Sequence, residues 1–174
     1  MTGITISGLP GTGTTTVAKL IQEKTGIPYI YSGDIFRTMA KEYNMSLEEF
    51  GRYCENHKEI DEKLDRYQLE ILEKGDVILE GRLAGWIAYQ HNISCLKVAL
   101  EADVDTRAKR IVKREDGDIA QRKQEIQQRA KSEAIRYKKY YNIDIEDVSI
   151  YDLVIDSSQK TPEEIVAIIL NAFE

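Results

Sequence analysis

The sequence predicts an α/β fold: three α/β/α layers on a five-stranded parallel sheet, with helices on both faces and a mobile lid. Three observations predict it. Strand-like runs rich in β-branched residues alternate with helical patterns, the signature of βαβ units. Five of those runs are apolar enough to be covered on both faces, as parallel strands are. At 174 residues with a 42% hydrophobic share, the chain is sized for one domain around such a sheet.

The elements follow in order. "GITISG" is a short β-branched run closed by glycine. Val17 to Thr25 reads helical, with Val17, Leu20 and Ile21 on one face and Gly26-Ile27-Pro28 as its stop. "YIYSG" is a second short strand, and Asp34 is the expected N-cap of a helix running to Tyr43. Ser46-Leu47-Glu48-Glu49 is a capping box that opens another helix. Ile60, Leu64, Tyr67 and Ile71 mark one apolar stripe, and that helix stops at Lys74-Gly75. "VILEG" and "LKVALE" read as buried strands, Asp103 to Lys113 as a helix, and Ile119 to Tyr140 as a long charged helix. "YDLVID" is the last strand. Thr161-Pro162-Glu163-Glu164 is a capping box with proline at the first helical position, and the helix behind it carries Ile165, Ile168 and Ile169.

Composition excludes several classes. No apolar run approaches the roughly 20 residues that span a bilayer, and "MTGITISG" has no signal-peptide character. A cytoplasmic protein with no membrane partner is expected. Cys54 and Cys95 stand alone, outside any CxxC or metal spacing, and are expected as free thiols; His57 and His91 show no ligand pattern. A net charge of −6 argues against nucleic-acid binding. The charge is uneven, however. Thr106 to Tyr140 holds twelve Lys and Arg against five Asp and Glu. A basic segment in an acidic chain suits an anionic small molecule, the alternative being a solvated charged helix.

"GLPGTGTTT" carries the sharpest signal. Gly8, Gly13 and Thr15 meet the spacing of a nucleotide phosphate-binding loop, between a strand and a helix, but Thr14 stands in the lysine place. Gly8, Gly11 and Gly13 let the chain turn tightly, so that main-chain N–H groups and the helix start can cradle phosphate. Leu9, Pro10 and Thr12 complete the loop, Thr15 is the expected metal-side hydroxyl, and Thr16 can reach another phosphate oxygen. A charge-assisted contact to phosphate contributes on the order of 1.5–3 kcal/mol. Another cation is therefore expected to replace the lysine, or the ligand is less charged.

Other candidates sit where parallel sheets bind ligands, after the strands. In "YSGDIFR", Arg37 lies in a first helical turn, where a cation is disfavoured unless it meets an anion. In "VILEGRLAGW", Glu80 can order metal-bound water and Arg82 can grip a phosphate. A Glu80–Arg82 salt bridge is the plainer reading. Arg129, Glu133 and Arg136 share one helical face, as do Arg107, Arg110 and Arg114. A surface ion-pair ladder would give the same spacing. "EDGDIAQ" between the two rows reads as a flap whose arginines close over phosphates.

Taken together, "GLPGTGTTT", "YSGDIFR", "LEGRLAG", "RAKRIVKR" and "QQRAKSEAIRY" resemble the cytidylate kinases, in particular their short archaeal branch of the P-loop nucleoside monophosphate kinases. The resemblance implies transfer of the γ-phosphate of ATP to CMP or dCMP, with Mg²⁺, by a monomeric enzyme of pyrimidine nucleotide metabolism. It implies that Gly8 through Thr16, with Arg110, bind ATP, and that Thr15 meets the metal. Ser32, Asp34, Arg37, Gly81, Arg82, Arg129, Glu133 and Arg136 would bind the acceptor, Glu133 at its ribose. Arg82, Arg110, Arg114, Arg129 and Arg136 would act on the transferred phosphate, and the loop at Ser157 and Ser158 would meet the adenine. The implied organisation is one kinase domain over 1–174: core 1–33, 76–113 and 150–174, monophosphate-binding helices 34–75, lid and charged helix about 114–140. Bacterial members have aspartates where Glu80 and Leu83 stand, and a base-reading insertion that this chain lacks. The alternatives are a kinase for UMP or AMP and a non-catalytic nucleotide-binding regulatory protein.

Overall fold

Residues 2–174 are described in a computed structural model. Five parallel strands form one sheet: β1 (Gly3–Gly8), β2 (Tyr29–Tyr31), β3 (Val77–Glu80), β4 (Leu96–Glu101) and β5 (Leu153–Asp156). Their order is β2-β3-β1-β4-β5. β1 is central, with Ile6 opposite both Glu80 of β3 and Val98 of β4. The order reverses beside β1, so the crevice beyond its carboxyl end is where this topology binds ligands.

Alternation along the strands sorts side chains to two faces. Ile4, Ile6, Ile78 and Val98 pack under α1 (Thr14–Thr25) and α8 (Pro162–Phe173). Val77, Leu79 and Cys95 pack against α4 (Lys58–Lys74), α5 (Ala84–Gln90) and Tyr137 of α7 (Ile119–Tyr141). A fully buried isoleucine such as Ile4 stabilises by about 1.5–3 kcal/mol. Two smaller clusters lie outside the sheet. Phe50 and Cys54 join α3 (Leu47–Cys54) to α2 (Ser32–Glu42) and α4. Ala108, Ile111 and Ile126 join α6 (Val104–Glu115) to α7. Both cysteines are free and buried.

Both capping boxes form as the sequence indicates: Ser46 with Glu49, and Thr161 with Glu164 behind Pro162. Other details differ. The second strand ends at Tyr31, and Ser32 and Gly33 already belong to α2. Asp34 is therefore not an N-cap; Tyr31 holds that place in an extended conformation. Position 33 in this first turn has to be glycine, because the Tyr31 ring lies within 2.5 Å of where a Cβ would stand. On α4, Gln68 takes the buried position expected of Tyr67, which is 48% exposed. Ile168 likewise faces out. α5 had no signal in the sequence, because five of its seven residues are buried and it carries no amphipathic period.

Candidate active site

A cleft of about 1170 Å³ opens beyond the carboxyl ends of the strands. Its floor is the glycine-rich loop. Gly11 and Gly13 both adopt left-handed conformations, with φ of 85° and 95°. Gly11 has a second reason to be glycine, since a Cβ there would lie 2.7 Å from the Arg107 carbonyl oxygen. The Thr12 hydroxyl closes the turn by donating to the Leu9 carbonyl at 2.8 Å. Gly13 caps α1 without any side-chain hydrogen bond, which leaves first-turn N–H groups free for an anion.

Thr14 and Thr15 both turn toward one acid. Thr14 donates to Glu80 Oε1 at 2.6 Å, and Thr15 reaches the two carboxylate oxygens at 2.8 and 3.1 Å. Tyr29, on the edge strand, donates to Glu80 Oε2 at 2.5 Å. Burial pushes the Tyr29 hydroxyl up, and its contact with Glu80 adds to the shift, so it remains a donor. Glu80 itself is 4% exposed. The residue in the lysine place is thus tied to the acid at the end of β3. Glu80 does not pair with Arg82.

Arg82 pairs instead with Glu133 on α7, Nε to Oε2 at 2.5 Å. Its buried Nη2 has no hydrogen-bond partner among the described residues. Burial alone would raise the Glu133 carboxyl, but Arg82, Arg129 and Arg136 outweigh it and hold the group below its ordinary value. Arg136 donates to Asp61 of α4 at 3.0 Å, with both side chains 4% exposed. Arg129 lines the cleft and forms no ion pair among the described residues. Arg37 lies over the Tyr31 ring and meets Asp34 at 3.4 Å. Ser32, Gly81, Arg37, Arg82, Arg129, Glu133 and Arg136 therefore share one cleft, and the ladder alternative for α7 fails for Glu133 and Arg136, which find partners on other elements.

The arginines of α6 stand differently. Arg110 does not face the amides of the loop. It donates to the carbonyls of Gly11 and Thr12 at 3.2 and 3.4 Å, and to Ser157. Ser157 in turn donates to the Thr12 carbonyl at 2.7 Å. Arg110 and Ser157, which also line the cleft, thus brace the loop through its carbonyls, while Ser158 caps the approach to α6 by accepting from the Asp103 N–H. Arg114 pairs with its neighbour Glu115 in solvent. Arg107 is buried against Gly11, with its Nη1 unpaired.

Tyr29, Asp61, Asp65 and Gln68 also line this cleft, and the sequence reading missed them. Only the polar character of α4 positions 61, 65 and 68 hinted at them. Among the described residues, no group of three or more His, Cys, Asp or Glu could hold a metal ion. Thr15 and Glu80 supply hard oxygen donors, which suit Mg²⁺ carried mainly by nucleotide phosphates and water. No helix is long and apolar enough to cross a membrane among the described residues.

The profile of the Cytidylate kinase-like family matches residues 3–159. The chain is similar to the cytidylate kinase of Methanocaldococcus jannaschii, 51% identical over 174 residues, covering 98% of this chain and 97% of that one. It is 48% identical to the cytidylate kinase of Methanococcus maripaludis strain C5, again over 98% and 97% of the two chains. The crystal structure of shikimate kinase from Bacteroides thetaiotaomicron shares the fold, with a TM-score of 0.58, 15% identity, and coverage of 98% and 96%.

Proposed function

The chain belongs to the cytidylate kinase-like family and is a kinase, and we propose that it transfers the γ-phosphate of MgATP to CMP or dCMP, giving the diphosphate and ADP. One observation carries the proposal: Arg37, Arg82, Arg129 and Arg136 line one cleft with an uncapped helix start, and the buried Arg82 Nη2 lacks a partner among the described residues.

Phosphoryl transfer needs positioning and charge neutralisation more than covalent chemistry. In our reading the N–H groups of Gly11 to Thr16 hold the β- and γ-phosphates. Arg37, Arg82, Arg129 and Arg136 hold the acceptor phosphate, whose oxygen attacks in line. Glu133 orients Arg82 and receives the ribose hydroxyls. No protein nucleophile or general base is assigned. Mg²⁺ would supply charge neutralisation at the phosphates, held on the protein side by Thr15, with Glu80 receiving its water. The loop at Asp116–Gly117, where both residues have positive φ, joins α6 to α7 as the hinge of a lid. Its closure would carry Arg114 to the transferred phosphate and exclude water. The division into core, monophosphate-binding helices and lid belongs to the same proposal, and the separate cluster of Ala40, Phe50, Cys54 and Ile60 in α2, α3 and α4 supports its middle part. A monomeric cytoplasmic enzyme of pyrimidine nucleotide metabolism completes the proposal.

The test is ADP formation from MgATP with CMP, dCMP, UMP and AMP. CMP or dCMP should be the best acceptor. A better rate with UMP or AMP would reassign the substrate, and no transfer to any of the four would favour a regulatory nucleotide-binding role.

A further inference from the structure

One face of α4 turns polar groups inward. Asp61, Leu64, Asp65 and Gln68 fall at i, i+3, i+4 and i+7, a single helical stripe, and all four line the cleft. Asp61 and Gln68 are each 3% exposed. Polar groups withdrawn from water destabilise the fold unless a partner compensates. Asp61 has one in Arg136. Gln68 has none for its Oε1, which is shielded from solvent and accepts no hydrogen bond among the described residues. It lies over Gly81, where a Cβ would stand 2.9 Å from Gln68 Oε1 and 2.3 Å from Ser32 Oγ. An amide and a hydroxyl thus converge above a position that glycine leaves open.

Asp65 lies one turn before Gln68. Burial pushes its carboxyl up to about 7; Tyr141 and Arg136 of α7 pull it down, while Asp61 and Glu62 of its own helix raise it further. Near neutral pH it is available both as acid and as carboxylate. The same cleft has apolar surface from Phe36, Leu47 and Leu64. Flat apolar surface with a few convergent polar groups is what a planar heterocycle needs. The stripe also begins at Asp61, which touches the arginine cluster through Arg136, so a monophosphate held there has its base within reach of α4.

We propose that Asp65 and Gln68 of α4, closed off by Ser32, read the base edge of the acceptor and select a 4-amino over a 4-oxo pyrimidine; this rests on the pyrimidine monophosphate kinase reading above. A 4-amino pyrimidine presents an N–H donor beside a ring-nitrogen acceptor. A carboxylate accepts from the amino group. The discrimination resides in this carboxylate, since the neutral acid, with one donor and one acceptor, can pair with either base. A 4-oxo pyrimidine sets its oxygen, an acceptor, against the acceptor-only carboxylate and is left unmatched. The Gln68 amide supplies the second contact.

The experiment compares kcat/KM for CMP, UMP and cytidylate lacking the 4-amino group, at saturating MgATP, in wild type, Asp65→Asn and Gln68→Leu. An asparagine amide can turn to match either base. Asp65→Asn should therefore lower the CMP:UMP ratio by on the order of 10-fold or more. It should also abolish most of the penalty that wild type shows for the missing amino group. Gln68→Leu should raise KM for CMP with a smaller change in kcat. Neither variant should alter KM for MgATP. A CMP:UMP ratio unchanged in both variants overturns the base-reading assignment and leaves the kinase reading intact. If the variants do not fold, a wild type indifferent to the 4-amino group overturns it equally. A wild type that phosphorylates no pyrimidine monophosphate removes both.

Discussion

Replacing Tyr29 by phenylalanine takes one hydroxyl donor away from Glu80, the acid that faces the start of α1. Glu80 accepts from three hydroxyls: Tyr29 at 2.5 Å, Thr14 at 2.6 Å, and Thr15, whose single hydrogen is shared between the two carboxylate oxygens at 2.8 and 3.1 Å. At 4% exposure, little water can replace a lost donor. A hydrogen bond to a charged group contributes about 1.5–3 kcal/mol net. With both threonines left in place, the loss should be about 2 kcal/mol. For a chain of this length that lowers the melting temperature by roughly 4–8 °C. Activity should fall as well. In the proposed complex Thr15 would turn its hydroxyl oxygen to Mg²⁺, which leaves Thr14 as the donor fixed on the variant's Glu80. We expect kcat with MgATP and CMP to drop on the order of 10-fold, and KM for CMP to stay within about threefold. Thermal unfolding and coupled ADP release measure the two effects. A melting temperature within about 1 °C of wild type and a kcat within about twofold would refute the role given to Tyr29.

Other outcomes follow from the same geometry. Arg110→Ala and Arg114→Ala should each cut kcat/KM for MgATP by on the order of 10²-fold, the first because the loop loses its brace at Gly11 and Thr12, the second because the transferred phosphate loses a cation. Asp61→Asn strands the Arg136 guanidinium at 4% exposure and should cost about 3 kcal/mol, read as a fall of roughly 6–12 °C in melting temperature. Asp65 supplies a pH signature. Its folded value of about 7 lies above the ordinary 3.8, so the folded chain keeps a proton that the unfolded chain releases. Its contribution to stability is full below about pH 4 and is lost as pH rises to about 7. Urea unfolding across that range should give a flatter pH profile for Asp65→Asn than for wild type.

The sequence made local chemistry legible. Ser46 and Thr161 announce their helices because a capping box needs only residues three apart. The strands were readable because burial on both faces demands apolar runs, and the glycine loop because its spacing is fixed by backbone geometry. What lay hidden depends on residues far apart in the chain. Tyr29 meets Glu80 across 51 residues, and Arg136 meets Asp61 across 75. Periodicity put Arg110 on a face with Arg114, but only the packing of α6 against Gly11 decides that Arg110 grips the loop's carbonyls. Gln68 was passed over because an apolar stripe reads equally well through Tyr67, and one position of rotation on α4 separates core from solvent.

We propose that main-chain amides after β1, helped by the Arg114 guanidinium of α6, hold a triphosphate although Thr14 brings no charge. A crystal structure with Mg²⁺, a non-hydrolysable ATP analogue and CMP tests it most directly. The triphosphate should lie against the N–H groups of Gly11 to Thr16, with Arg114 turned from Glu115 to the γ-phosphate and Arg82 on the acceptor phosphate. An empty loop, or nucleotide bound elsewhere with Arg114 still paired to Glu115, would contradict it.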